Sequence, residues 1–90
     1  MTYKEFTIQY ALGTLDTTYK DTLYDIALST KSKRILSILS KDKNIDVRYY
    51  VSRNPNTPIE ILRRLNHDED SFVRWGVSVN KNYIKIKNRS

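Results

Sequence analysis

The sequence predicts an all-α protein, a short α-solenoid of about two 26-residue repeats with an N-terminal helical cap. Self-similarity is the first observation. A shift of 26 positions pairs Ile35 with Ile61, Leu36 with Leu62, Leu39 with Leu65, Asp42 with Asp68, Val47 with Val73, Arg48 with Arg74, Val51 with Val77, Ser52 with Ser78 and Asn54 with Asn80. The second observation is that the matched apolar residues recur at helical spacing. The third is that polar residues suited to helix ends stand between them. A unit this thin cannot hide its own apolar side, so neighbouring units must stack.

The chain divides accordingly into a single domain with a helical cap at 1–30, repeat 1 at 31–56, repeat 2 at 57–80 and a basic C-terminal tail at 81–90. In the cap, Tyr3, Phe6, Tyr10 and Ala11 mark one amphipathic helix. Asp16 can cap a second that carries Tyr19, Leu23, Ile26 and Ala27. The stretch Ile26 to Thr30 reads as a worn copy of Val51 to Pro55, its register slipped by one residue.

In repeat 1, Ser32 precedes a helix bearing Ile35, Leu36 and Leu39, and Asn44 precedes a second bearing Val47, Tyr50 and Val51, which Pro55 stops. In repeat 2, Thr57-Pro58-Ile59-Glu60 has the form of a capping box with proline at the first helical position, ahead of Ile61, Leu62 and Leu65. Asp70 or Ser71 can cap the next helix, with Phe72, Val73 and Val77 on its buried side, and Asn80 closes it with a residue that tolerates left-handed geometry. The first helix of each unit is expected to be the longer. After Asn80, alternation of apolar and basic residues suits a short strand or an extended tail.

Composition bounds the chemistry. With 90 residues, 39% hydrophobic content and no cysteine, the chain is a one-domain globular protein without disulfides, thiolate metal sites or a cysteine nucleophile. It starts with no apolar leader and contains no apolar run long enough to span a bilayer, so a cytoplasmic protein without a membrane partner is expected. The net charge of +6 favours an acidic partner.

The run Val47-Arg48-Tyr49-Tyr50-Val51-Ser52-Arg53-Asn54-Pro55-Asn56-Thr57-Pro58-Ile59-Glu60-Ile61-Leu62, followed by Leu65, Asp68, Asp70, Val73 and Arg74, resembles the leucine-rich repeat variant family over roughly residues 29–80. The resemblance implies a right-handed, HEAT-like solenoid of alternating α-helices and short 3₁₀-type helices that serves as a binding scaffold and catalyses nothing. Some members hold an iron–sulfur cluster through cysteines, which this sequence lacks. Ser52 and Ser78 stand where alanine is usual, and Lys81 replaces a proline, which suggests that the array stops there.

Candidate binding residues fall into two groups. Arg48, Arg74, Tyr49, Arg53 and Trp75 interleave aromatic and cationic side chains, a composition shared by protein-interface hot spots and by surfaces that stack nucleobases. A structural reading competes for the two arginines, since each can reach back to the acidic end of the preceding helix, at Asp42 or Asp68. Lys33, Arg34, Arg63 and Arg64, with Lys41, Lys43, Lys85 and Lys87, can contact phosphates if they align.

His67 beside Asp68, Glu69 and Asp70 lacks the companions of a metal site. With Gly13 and Gly76 the only glycines, no phosphate-cradling loop can be assembled, and neither a catalytic constellation nor a cofactor is expected. The chain reads as a non-catalytic binding module, an adaptor or inhibitor with a protein partner, monomeric or homodimeric. The alternative is a basic protein that contacts nucleic-acid phosphates with little sequence specificity.

Overall fold

The structure is a computed structural model and describes residues 20–87 together with Lys4 and Phe6. Among these residues it is wholly helical, with α1 Lys20–Ser29, α2 Lys33–Leu39, α3 Ile45–Arg53, α4 Ile59–Leu65, α5 Ser71–Ser78 and α6 Lys81–Lys87. Of the expected N-terminal helix only Lys4 and Phe6 are described, and the expected cap at Asp16 and the side chain of Tyr19 lie outside the described residues. Phe6 is fully buried in the same core as Ala27 of α1.

Helices α1, α3 and α5 pack side by side as one row, and α2, α4 and α6 lie on the other side of it. Apart from Phe6 and Ala27, the buried core is made of the repeat-matched residues: Ile35 and Ile61, Leu36 and Leu62, Leu39 and Leu65, Val47 and Val73, Val51 and Val77 are all buried. Full burial of one such side chain stabilises by roughly 1.5–3 kcal/mol. The 26-residue period is therefore a packing period.

Local polar chemistry sets the helix ends. Ser32 accepts from the Ile35 N–H at 3.2 Å, Asn44 from the Asp46 N–H at 2.8 Å, and Asp70 from the Phe72 and Val73 N–H groups at 2.9 and 3.3 Å. The expected capping box at Thr57 does not form. Helix α4 starts after Pro58, and the Thr57 hydroxyl instead donates 2.7 Å back to the Val51 carbonyl. Pro55 has no N–H to give that carbonyl its usual helical partner, so the buried oxygen is shared by the Asn54 N–H and by Thr57.

Three further expectations are corrected. The second helix of each unit is the longer, with 9 residues in α3 and 8 in α5 against 7 in α2 and in α4, and both members of each unit are α-helical rather than α and 3₁₀. Asn44 and Asp70 start full α-turns, with Arg48 N–H reaching the Asn44 carbonyl and Arg74 N–H the Asp70 carbonyl. Asn54, the counterpart of Asn80, has φ −70° and ψ 121°, an extended backbone. Finally, residues 81–87 are neither strand nor extended tail. Lys81 has the N–H that Pro55 lacks, and a helix opens directly behind Asn80, whose carbonyl accepts from Ile84 at 3.0 Å and whose side chain accepts from the Asn82 N–H at 2.9 Å.

What the asparagines do is join layers. Asn80, buried between α5 and α6, donates Nδ2 to the carbonyls of Ser52 at 2.8 Å and Asn54 at 2.9 Å. Asn54 does the same one layer earlier, to Ala27 at 3.0 Å and Thr30 at 2.9 Å. Ala27 therefore stands in the place of Ser52, displaced by one residue from the strict period, while the second bond goes to Thr30, which the worn copy at Ile26 to Thr30 matches to Pro55 and not to Asn54.

Candidate functional site

The second helices of the repeats, α3 and α5, carry the candidate aromatic residues on one face. Tyr49 and Trp75 share a repeat position, and because their helices lie side by side their rings stack, 6.3 Å between centroids at an interplanar angle of 11°. Arg53, one turn after Tyr49, donates to its hydroxyl at 2.8 Å and lays its guanidinium 5.9 Å from the Tyr49 ring and 5.3 Å from the Trp75 ring. Tyr50 packs on Tyr49 from one side and on Tyr24 of α1 from the other, at 5.4 and 5.2 Å. An aromatic file thus crosses α1, α3 and α5.

Phe72, which hydrophobicity alone places in the core, is 69% exposed and joins this face. Its repeat counterpart is Asp46, also exposed, so the position looks outward and the residue type misleads. Trp75 is 51% exposed and Ile45 is exposed as well. Two shallow hollows meet here: one of about 330 Å³ lined by Ile45, Asp46, Tyr49, Tyr50 and Phe72, the other of about 390 Å³ lined by Tyr49, Ser71, Phe72 and Trp75. Sequence reasoning missed Phe72, Ile45 and Tyr24. The 26-residue match of Tyr24 to Tyr50 and of Phe72 to Asp46 was the available signal.

The two arginines of the site separate. Arg48 is only 9% exposed and engaged away from the aromatic rings. Its Nη1 donates to the carbonyls of Asp42 and Lys43 at 2.7 and 3.0 Å, while Nε and Nη2 grip the Asp68 carboxylate at 2.9 and 3.3 Å. That hydrogen bond to Asp68 is the main reason the guanidinium pKa is raised, against the opposing effect of burial. The arginine reaches back to the carbonyls at the end of the preceding helix, as the structural reading has it, and forward to the next layer's acid. Arg74 is exposed, its Nη1 donating 2.5 Å to the Asp68 carbonyl.

The basic residues do not share one surface character. Lys33 and Lys85, matched to Ile59 by the repeat, line a hollow of about 490 Å³ with it, but Glu60 lines it too. Lys33, Arg34, Arg63, Arg64 and Lys85 are exposed, and Arg64 donates to the Ser40 hydroxyl. The side chain of Lys87 lies outside the described residues. Capping employs the acids beside His67: Asp68 accepts from the Asp70 N–H at 2.9 Å. Among the described residues no group of three or more His, Cys, Asp or Glu is placed to hold a metal ion, and no helix is long and apolar enough to cross a membrane.

No curated protein and no solved structure matches the chain. The family model described as leucine rich repeat variant matches residues 45–70, the span that begins with α3 and ends at the cap of α5. Residues 45–70 are thus similar to a leucine rich repeat variant unit, set among elements that are all helical in the described residues.

Proposed function

We propose that this helical repeat module binds a protein partner through the face built by Tyr49, Arg53, Phe72 and Trp75. The observation that carries the reading is the exposure of Phe72 and Trp75, 69% and 51%, directly beside an arginine already oriented over two rings. Large aromatic side chains left in water on one helix gain most from being covered, and Trp, Tyr and Arg dominate the energetics of protein interfaces. Their neighbours Asp46 and Arg53 give the face an acidic end and a basic end, which favours one orientation of the partner.

The test is affinity capture from the cell's own lysate, with and without nuclease, comparing the wild-type chain with Phe72→Asp and with Trp75→Ala. The expected result is a protein retained after nuclease treatment and lost in both variants. Capture abolished by nuclease, or unchanged in both variants, overturns the reading, and the former outcome points to nucleic acid.

A further inference from the structure

Resting on that reading, we infer that the outward flank of α5 docks a helix of the partner protein, one with a carboxylate just ahead of it and a residue as small as glycine within it. The argument comes from how α5 itself docks on α3. Three contacts join them: Asp68, ahead of α5, lies on Nε and Nη2 of Arg48; Trp75 stacks on Tyr49; and Gly76 lies so close to Ser52 that an added Cβ would stand 1.9 Å from its Oγ. The receiving residues on α3 are therefore Arg48, Tyr49 and Ser52. Their repeat counterparts on α5 are Arg74, Trp75 and Ser78. All three are exposed, where Arg48 and Ser52 are buried and Tyr49 is half-buried.

The uncovered flank is already in the receiving conformation. Arg48 Nη1 donates to the Asp42 carbonyl and Arg74 Nη1 to the Asp68 carbonyl, the same bond one repeat on. Ser52 Oγ donates to the Tyr49 carbonyl at 2.5 Å, and Ser78 Oγ to the Trp75 carbonyl at 2.6 Å. In α3 the arrangement leaves Nε and Nη2 of the arginine for a carboxylate from the next layer. A planar guanidinium held by one edge offers the other as a fork for a carboxylate, which sets the charge of the occupant. A second folded copy of this chain does not supply that occupant, because its own Asp68 and Gly76 are engaged with Arg48 and Ser52.

A synthetic peptide with the sequence of residues 66–80 carries the required acid, tryptophan and glycine, and serves as the probe. Titrated into the ¹⁵N-labelled full chain, it is expected to shift the Arg74 Nε–H resonance and the α5 amides while leaving Arg48 Nε–H in place. Replacing the peptide's first aspartate by asparagine, or Arg74 by glutamine in the protein, is expected to weaken binding roughly tenfold. Movement of Arg48 instead, equal binding by the asparagine peptide, self-association through α5, or no binding at millimolar peptide overturns the inference. Lysate capture that depends on Phe72 while the peptide fails to bind would leave the proposed function standing and remove only this docking mode.

Discussion

Asn80 stands on Asn54: its side-chain amide donates 2.9 Å to the Asn54 carbonyl, and Asn54 in turn donates to the carbonyls of Ala27 and Thr30. Both side chains are buried, as are their bonds to the carbonyls of Ala27, Ser52 and Asn54. Asn54→Ala leaves the Ala27 carbonyl and the Asn56 N–H without their partner and the Thr30 carbonyl with only the longer bond from Asn56 Nδ2, and is expected to cost about 2–4 kcal/mol. Asn54→Asp turns a donor into a second acceptor facing two carbonyls and is expected to cost at least as much. Urea denaturation checks both through a lowered midpoint at unchanged slope.

Arg48 and Arg74, though equivalent in sequence, are expected to differ in consequence. Arg48→Ala removes the clamp on Asp68 and on two carbonyls and is expected to destabilise by about 2–3 kcal/mol, whereas Arg74→Ala changes stability by less than about 0.5 kcal/mol. A double-mutant cycle of Arg48→Ala with Asp68→Asn is expected to give a coupling of about 1–2 kcal/mol. The raised pKa of Arg48 fixes the sign with pH: its contribution is complete below the ordinary arginine range and is lost only as pH rises through the higher folded value. The loss measured for Arg48→Ala is therefore insensitive to the arginine's own titration across neutral pH.

Gly76→Ala sets two effects against each other. Alanine is the better helix former by about 1 kcal/mol, but its Cβ would lie 1.9 Å from Ser52 Oγ and 3.0 Å from Ser52 Cβ. Overpacking between two closely approached helices costs about 1–3 kcal/mol, so net destabilisation is expected. Adding Ser52→Ala removes the nearer clash and is expected to recover much of the loss. Thermal melts of the two single variants and the pair decide it, since independent sites would give additive losses.

At Phe72 the expectation is no loss of stability. Phe72→Asp restores the acid that its counterpart Asp46 carries and puts negative charge in the first turn of α5, so the melting temperature is expected to hold while partner capture fails. A melting temperature lowered by more than a few degrees would show that Phe72 supports the fold.

Thr57 and Glu60 separate the two readings of the segment before α4. Thr57→Val removes the hydroxyl that serves the Val51 carbonyl and is expected to cost about 1–2 kcal/mol, while Glu60→Ala, exposed and outside any capping box, is expected to leave stability within about 0.5 kcal/mol. Equal losses in chemical denaturation would restore the capping box.

Those contrasts show what could be read from the chain alone. The period of 26 placed Val47 with Val73 and Leu36 with Leu62 correctly, because a repeated packing environment constrains both copies alike. The same period matches Tyr49 to Trp75, whose rings stack. Residue type misled where it was weighed ahead of position, as for Phe72. Thr57 misled because capping is a local pattern, whereas its hydroxyl answers a deficit that Pro55 creates on another helix. Arg48 was legible only as a backward ladder. Its forward grip on Asp68 depends on the spacing of layers, which no run of residues displays.

The α3 and α5 pair is pinned at both ends, by Arg48 on Asp68 where the helices begin and by Asn80 on Ser52 and Asn54 where they finish. Two latches so far apart oppose both sliding and pivoting of one helix against its neighbour. If the proposed partner docks on the aromatic face above them, these latches are expected to spare it much of the ordering of backbone on contact.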